Sequence, residues 1–63
     1  MKTILKNFIG KTLRIYTVSA VESYLGILEE VKNESVVLKS FFRDEREYFA
    51  IQYIESFKEE KQG

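Results

Sequence analysis

The sequence predicts a mainly β fold, in which a short N-terminal α-helix is followed by a strongly bent five-stranded antiparallel sheet that makes a small barrel. Three observations predict it. Apolar residues follow a helical spacing only over about residues 3 to 9, and from Lys11 they switch to a period of two. Polar turn residues then interrupt the β pattern at short intervals, and the 63 residues contain no proline.

The helix comes first. Ile4, Leu5, Phe8 and Ile9 stand at i, i+1, i+4 and i+5, which gathers them on one face opposite Lys2 and Lys6. Thr3 is the expected N-cap and Gly10 the expected stop. About two helical turns do not persist alone in water, so the apolar face is expected to dock on the rest of the fold.

The first strand runs from Lys11 to about Val18, with Leu13 and Ile15 on one side and Arg14 and Tyr16 on the other. Ser19 to Ser23 reads as a turn, and Tyr24 to Val31 as a second strand. Gly26 in its interior marks a bulge, or a bend where another backbone passes close. Lys32, Asn33 and Glu34 make a polar turn, and the Val-rich Ser35 to Phe41 completes a hairpin. Arg43, Asp44, Glu45 and Arg46 form a charged connection into Glu47 to Phe57, read as two short strands meeting near Ala50. The strands thus occupy about residues 11 to 57 of a single domain spanning 1 to 63, as a meander whose successive strands pair with their neighbours. The charged tail from Lys58 to Gly63 is expected to fray.

Composition narrows the function classes. A chain this short has a core that barely offsets the entropy of ordering its backbone. Without Cys or His it has neither disulfides nor the usual zinc ligands to supplement that core, which leaves association with copies of itself. The two end strands of an open barrel expose unpaired backbone groups. Joining the last strand of one copy to the fourth of the next would satisfy them and close a ring. Lys6 interrupts the only apolar stretch near the N-terminus and no run has transmembrane length, so no membrane association is expected and the cytoplasm is the expected compartment.

Net charge is zero but segregated: residues 1 to 20 carry Lys2, Lys6, Lys11 and Arg14 with no acid, giving +4 and leaving −4 for the remainder. A ring would multiply each surface by its number of subunits. Catalysis is not expected. The absence of His and Cys removes triads and thiol nucleophiles. Glu29 and Glu30 point to opposite faces of a strand, and Asp44, Glu45 and Glu47 lie among Arg43 and Arg46 as solvated charge. No Gly-rich loop leads into a helix to cradle phosphates, and no cofactor or metal is expected.

Three stretches carry a family resemblance. A helix ending before "LRIYTV", the gapless run "GILEEVKNESVVLK" with Gly26 at the bend, and "YFAIQYI" with Ala50, Ile51 and Ile54 at small and apolar positions resemble the bacterial Sm-like proteins of the Hfq type. The likeness covers roughly residues 4 to 57, and implies an SH3-like small barrel in a homo-oligomeric ring of five to seven subunits. It further implies binding of single-stranded RNA, with uridine-rich segments held around the pore beside the helices.

Residue by residue, the resemblance is uneven. Where the family has Gln and an aromatic residue in the turn between strands two and three, this chain has Asn33 and Glu34, which keeps an amide and loses a stacking ring. In the turn between strands four and five, where the family's Lys and His contact RNA, the resemblance places Tyr48 and Phe49. Phe49 in that place would stack on a base for about 1 to 3 kcal/mol, while Glu34 would repel phosphate. Tyr16 occupies the position of a first-strand Tyr that takes purine-rich RNA on the opposite face. The candidate RNA-binding residues are therefore Lys2, Lys6, Tyr16, Asn33, Tyr48 and Phe49, the two lysines acting through electrostatics alone. The alternative is a scaffold that binds protein through its acidic surface or through Phe41, Phe42, Tyr48 and Phe49.

Overall fold

A computed structural model of the protein describes residues 2–19, 23–41 and 44–61. It contains helix α1 (Lys2–Lys6) and strands β1 (Thr12–Thr17), β2 (Ser23–Val31), β3 (Ser35–Ser40), β4 (Arg46–Ala50) and β5 (Ile54–Glu59), with a 3-10 turn over Ile51–Tyr53 between the last two. All five strands join one antiparallel sheet in the order β4-β3-β2-β1-β5, consistent with Sm-like topology.

The strand order forces curvature. β4 and β5 lie at opposite ends of the sheet, which in a flat five-stranded sheet would be about 19 Å apart. The 3-10 turn joining them rises only about 6 Å, so the sheet must curl its two ends toward each other. Local irregularities assist. The β2–β3 register shifts between Leu28 and Glu30, which leaves Glu29 as an extra residue, and the β1–β5 register shifts between Tyr16 and Thr17.

Gly26 shows why the hairpin needs a residue without a side chain. A Cβ there would lie 2.3 Å from the backbone carbonyl oxygen of Lys39. The close backbone approach anticipated from an interior strand glycine is therefore present, between β2 and β3.

The core collects residues from α1 and from every strand except β4: Leu5, Leu13, Ile15, Leu28, Val36, Leu38 and Ile54 are all at least 95 % buried, and β4 adds only the partly buried Phe49. Leu13 and Ile15 alternate inward along β1, as a period of two requires. Phe8 closes one side by an edge-to-face contact with Phe57, ring centroids 5.4 Å apart.

Several expectations need correction. The α-helix begins at Lys2, so Thr3 lies within it, and it ends at Lys6. Beyond that point Asn7, Phe8 and Ile9 donate to the carbonyls of Ile4, Leu5 and Lys6, a tighter spacing of three residues per turn that continues to Gly10, where φ is +89°. The tighter winding stacks Phe8 under Leu5 and rotates Ile9 away. Leu5 is fully buried, while Ile4 and Ile9 remain 55 % and 48 % exposed, so the expected four-residue docking face is reduced to two residues.

The meander also holds only through β4. β5 crosses back to pair with β1, Ile15 opposite Phe57 and Leu13 opposite Glu59. The tail is ordered further than its charge suggested, since Lys58 and Glu59 belong to β5 and the Glu60 amide donates to Thr12 O at 2.9 Å. Phe42, Arg43, Gln62 and Gly63 lie outside the described residues, as does most of the expected turn between the first two strands. Among the described residues, no helix is long and apolar enough to cross a membrane.

Candidate functional site

A pocket of about 370 Å³ opens where three segments distant in sequence meet: the start of α1, the β2–β3 turn, and the end of β4 with the 3-10 turn. Lys2, Asn33, Glu34, Ala50, Ile51 and Gln52 line it. Backbone bonds hold these segments in place. The Lys32 amide donates to Ser35 O at 2.7 Å and closes the turn, and the Ile51 amide donates to Glu34 O at 2.8 Å, tying the turn to the 3-10 segment. Ser35 pairs with Ala50 as the last rung of the β3–β4 ladder, directly beneath that tie. The polar rim is thus carried on paired backbone rather than on a free loop.

Within the pocket, Lys2 Nζ donates to Asn33 Oδ1 at 2.9 Å. The bond occupies the amide oxygen and leaves the two Nδ2 protons of Asn33 as donors. Glu34 lines the same pocket, and among the described residues its carboxylate has no hydrogen-bond or ion-pair partner. Ala50 and Ile51 contribute apolar surface, and Gln52 a second amide.

The six candidate residues separate into distinct places. Lys2 and Asn33 come together in the pocket. Lys6 is exposed at the end of α1 and does not line it. Tyr48 and Phe49, expected in the turn between the last two strands, lie instead within β4, because that connection is the 3-10 turn Ile51–Tyr53, and as neighbours on a strand they point to opposite sides of the sheet. Phe49 pairs with the buried Val36 and packs its ring 4.9 Å from that of Tyr24 at the margin of the core. Tyr48 is 64 % exposed, with the Lys32 ammonium 5.9 Å from its ring centroid, near the limit of a cation–π contact. Tyr16 stands between Ser23 and Ser56 on the face of β1 away from Leu13 and Ile15, half-buried and not part of the pocket.

Sequence reasoning did not single out Gln52. Its only signal is its place in "YFAIQYI", directly after the apolar pair in the connection between the last two strands, where the 3-10 turn brings it to the rim.

A second polar cluster lies on the β1–β5 seam. Arg14 Nε donates to Glu60 Oε1 at 3.0 Å and its Nη1 to Ser23 Oγ at 2.7 Å, while Lys58 Nζ approaches the same carboxylate at 3.6 Å. The hydrogen bond from Arg14 is the main reason the Glu60 carboxyl is held below the usual carboxylate range, with Lys58 adding to it. Arg46 is likewise held in its charged form, first by its hydrogen bond to the bulged Glu29 and then by that residue's charge. Among the described residues, no three acidic side chains gather into a group that could hold a metal ion.

No family model matches the chain, and no curated protein matches its sequence.

Proposed function

We propose that the chain is a subunit of an Sm-like ring that binds single-stranded RNA at the pocket formed by Lys2, Asn33, Glu34 and Gln52. The observation that carries this reading is convergence. The β2–β3 turn, to which the resemblance assigns RNA, meets the start of the basic helix and the β4–β5 connection in one pocket, whereas Tyr48 and Phe49, matched to the family's other RNA contacts, lie within β4 and do not line it. Lys2 brings a cation there, two amides and a carboxylate line the rim, and Ala50 and Ile51 supply an apolar wall.

The sheet's terminal strands support the assembly part of this reading. β4 and β5 are its terminal strands, each pairing with one neighbour among the described residues, so β5 of one copy can pair with β4 of the next, and the resemblance implies that such pairing closes a ring of five to seven copies. Such a ring repeats Lys2 and Lys6 around one face, which attracts phosphates with strong salt dependence.

The test combines light scattering with RNA titration at rising salt, for the wild type and for Lys2→Glu/Lys6→Glu. The expected result is an oligomer of five to seven subunits whose RNA affinity falls with salt and collapses in the double variant. An intact ring that binds no RNA even at low salt would sink the reading, and a folded monomer at micromolar concentration would remove the ring.

One observation favours a second reading, a protein-binding scaffold. Ile4 on the helix and Ile9 in the turn after it, together with Val18 and Tyr53 at 57 % and 54 % exposure, leave apolar side chains uncovered. Pull-down with and without nuclease separates the two, since partners that survive nuclease are held by protein contacts.

A further inference from the structure

We infer that the pocket selects guanine among the four RNA bases, with the Glu34 carboxylate reading its Watson–Crick edge. The inference rests on the RNA-binding reading above and goes beyond it by naming the base. Its starting point is an acceptor without a donor: Glu34 lines the pocket, and among the described residues its carboxylate is unpartnered. A carboxylate offers two oxygens side by side, both acceptors, and makes its strongest bonds to two parallel N–H groups.

Only one base presents that pattern. Guanine carries N1–H and N2–H adjacent on its Watson–Crick edge, so both carboxylate oxygens are satisfied at once. Uracil offers a single N3–H flanked by two carbonyl oxygens that repel the second carboxylate oxygen. Cytosine and adenine each offer an exocyclic amine beside an unprotonated ring nitrogen, whose lone pair faces that oxygen. Guanine O6, next to N1, requires a donor in turn, and the rim holds three sources: the Lys2 ammonium, the Asn33 Nδ2 group left free by the Lys2 bond to Oδ1, and the Gln52 amide.

The remaining features suit a base. Ala50 and Ile51 provide an apolar wall, and a volume of about 370 Å³ falls within the range of small-ligand sites. The two ties at the base of the turn, Lys32 to Ser35 and Ile51 to Glu34 O, fix the backbone on which the carboxylate is carried. An acid in place of a stacking ring therefore exchanges base-tolerant stacking for hydrogen-bond selection on an unpaired base.

The protein at low salt is titrated, by fluorescence anisotropy, with four labelled heptanucleotides: seven uridines, and the same strand with its central base replaced by guanine, adenine or cytosine. The guanine strand is expected to bind about tenfold more tightly than the other three, the discrimination a bidentate pair typically provides. Glu34→Gln, which replaces one acceptor oxygen by a donor and removes the charge, is expected to abolish that preference, so that the guanine strand binds no more tightly than the other three. Equal affinity for all four strands overturns the guanine inference and leaves RNA binding standing. A guanine preference that survives in Glu34→Gln overturns the role of Glu34. Failure of every strand to bind removes both readings together. The wild-type comparison decides the base even where the variant does not fold.

Discussion

The β2–β3 hairpin carries part of the pocket's rim on its own turn, yet opposite physics controls the side chains of hairpin and rim. In the hairpin, Leu28, Val36 and Leu38 are fully buried and Gly26 has Lys39 carbonyl oxygen where a Cβ would go. Across the turn, Asn33 and Glu34 are exposed, as is Gln52 beyond the ladder. Excluded volume dictates the first set, and little in the fold dictates the second. Side chains on the rim can change charge and shape while the frame beneath them stays the same.

Replacing Gly26 should break the frame most severely. The obstacle is backbone, which cannot swing aside as a side chain would, so Gly26→Val forces β2 and β3 apart. We expect a loss of about 4 kcal/mol or more, enough to leave no folded population in a chain of this size. Circular dichroism with chemical denaturation checks it, and a variant that unfolds within 1 kcal/mol of wild type would contradict the close approach.

Leu38→Ala tests the same region by removing contacts instead of adding them. Leu38 is fully buried and paired with Leu28 across the ladder, so truncation is expected to cost about 3 kcal/mol through lost transfer energy and the cavity left behind. Protein concentration must be held constant between wild type and variant, because the proposed assembly would make the unfolding midpoint depend on it.

The rim should respond in the reverse sense. Asn33→Ala removes the acceptor of the exposed Lys2 bond, and we expect a stability change within about 0.5 kcal/mol. RNA affinity should nevertheless fall, since the variant frees Lys2 from its position and deletes an amide from the pocket. A variant that loses stability as Leu38→Ala does would erase the distinction between rim and frame.

This division also explains how much could be read from the sequence. Alternation at Leu13 and Ile15 and the close approach at Gly26 were legible because burial and sterics restrict residue type at those positions. The Lys58 to Glu60 segment was misread as frayed because its side chains are charged, whereas an edge strand pairs through backbone groups that carry no trace in residue type. The exposure of Ile4 and Ile9 was hidden for another reason. A change of winding from α to three residues per turn within one short segment moves side chains around the axis without altering the apolar pattern. In the site, Asn33 was reached through its place in the turn and Lys2 through its charge, but nothing local to Gln52 indicated that the 3-10 turn would deliver it to the same rim.

The β1–β5 seam allows the smallest and sharpest comparison, because its polar cluster is part of the frame while lying at the surface. The hydrogen bond from Arg14 holds the Glu60 carboxyl below its ordinary range, so the folded state binds that proton less readily than the unfolded chain. The resulting stabilisation is present in full above the ordinary carboxylate value, declines as pH falls through the lowered one, and is absent once both states are protonated. Glu60→Gln mimics the protonated side chain at every pH. The gap in unfolding midpoint between wild type and Glu60→Gln should therefore be small but measurable at pH 7 and should close on acidification. High salt should narrow it at pH 7, since the pair is partly open to solvent. A gap that persists unchanged into strong acid would mean that Glu60 contributes by packing along the strand edge instead of by its charge.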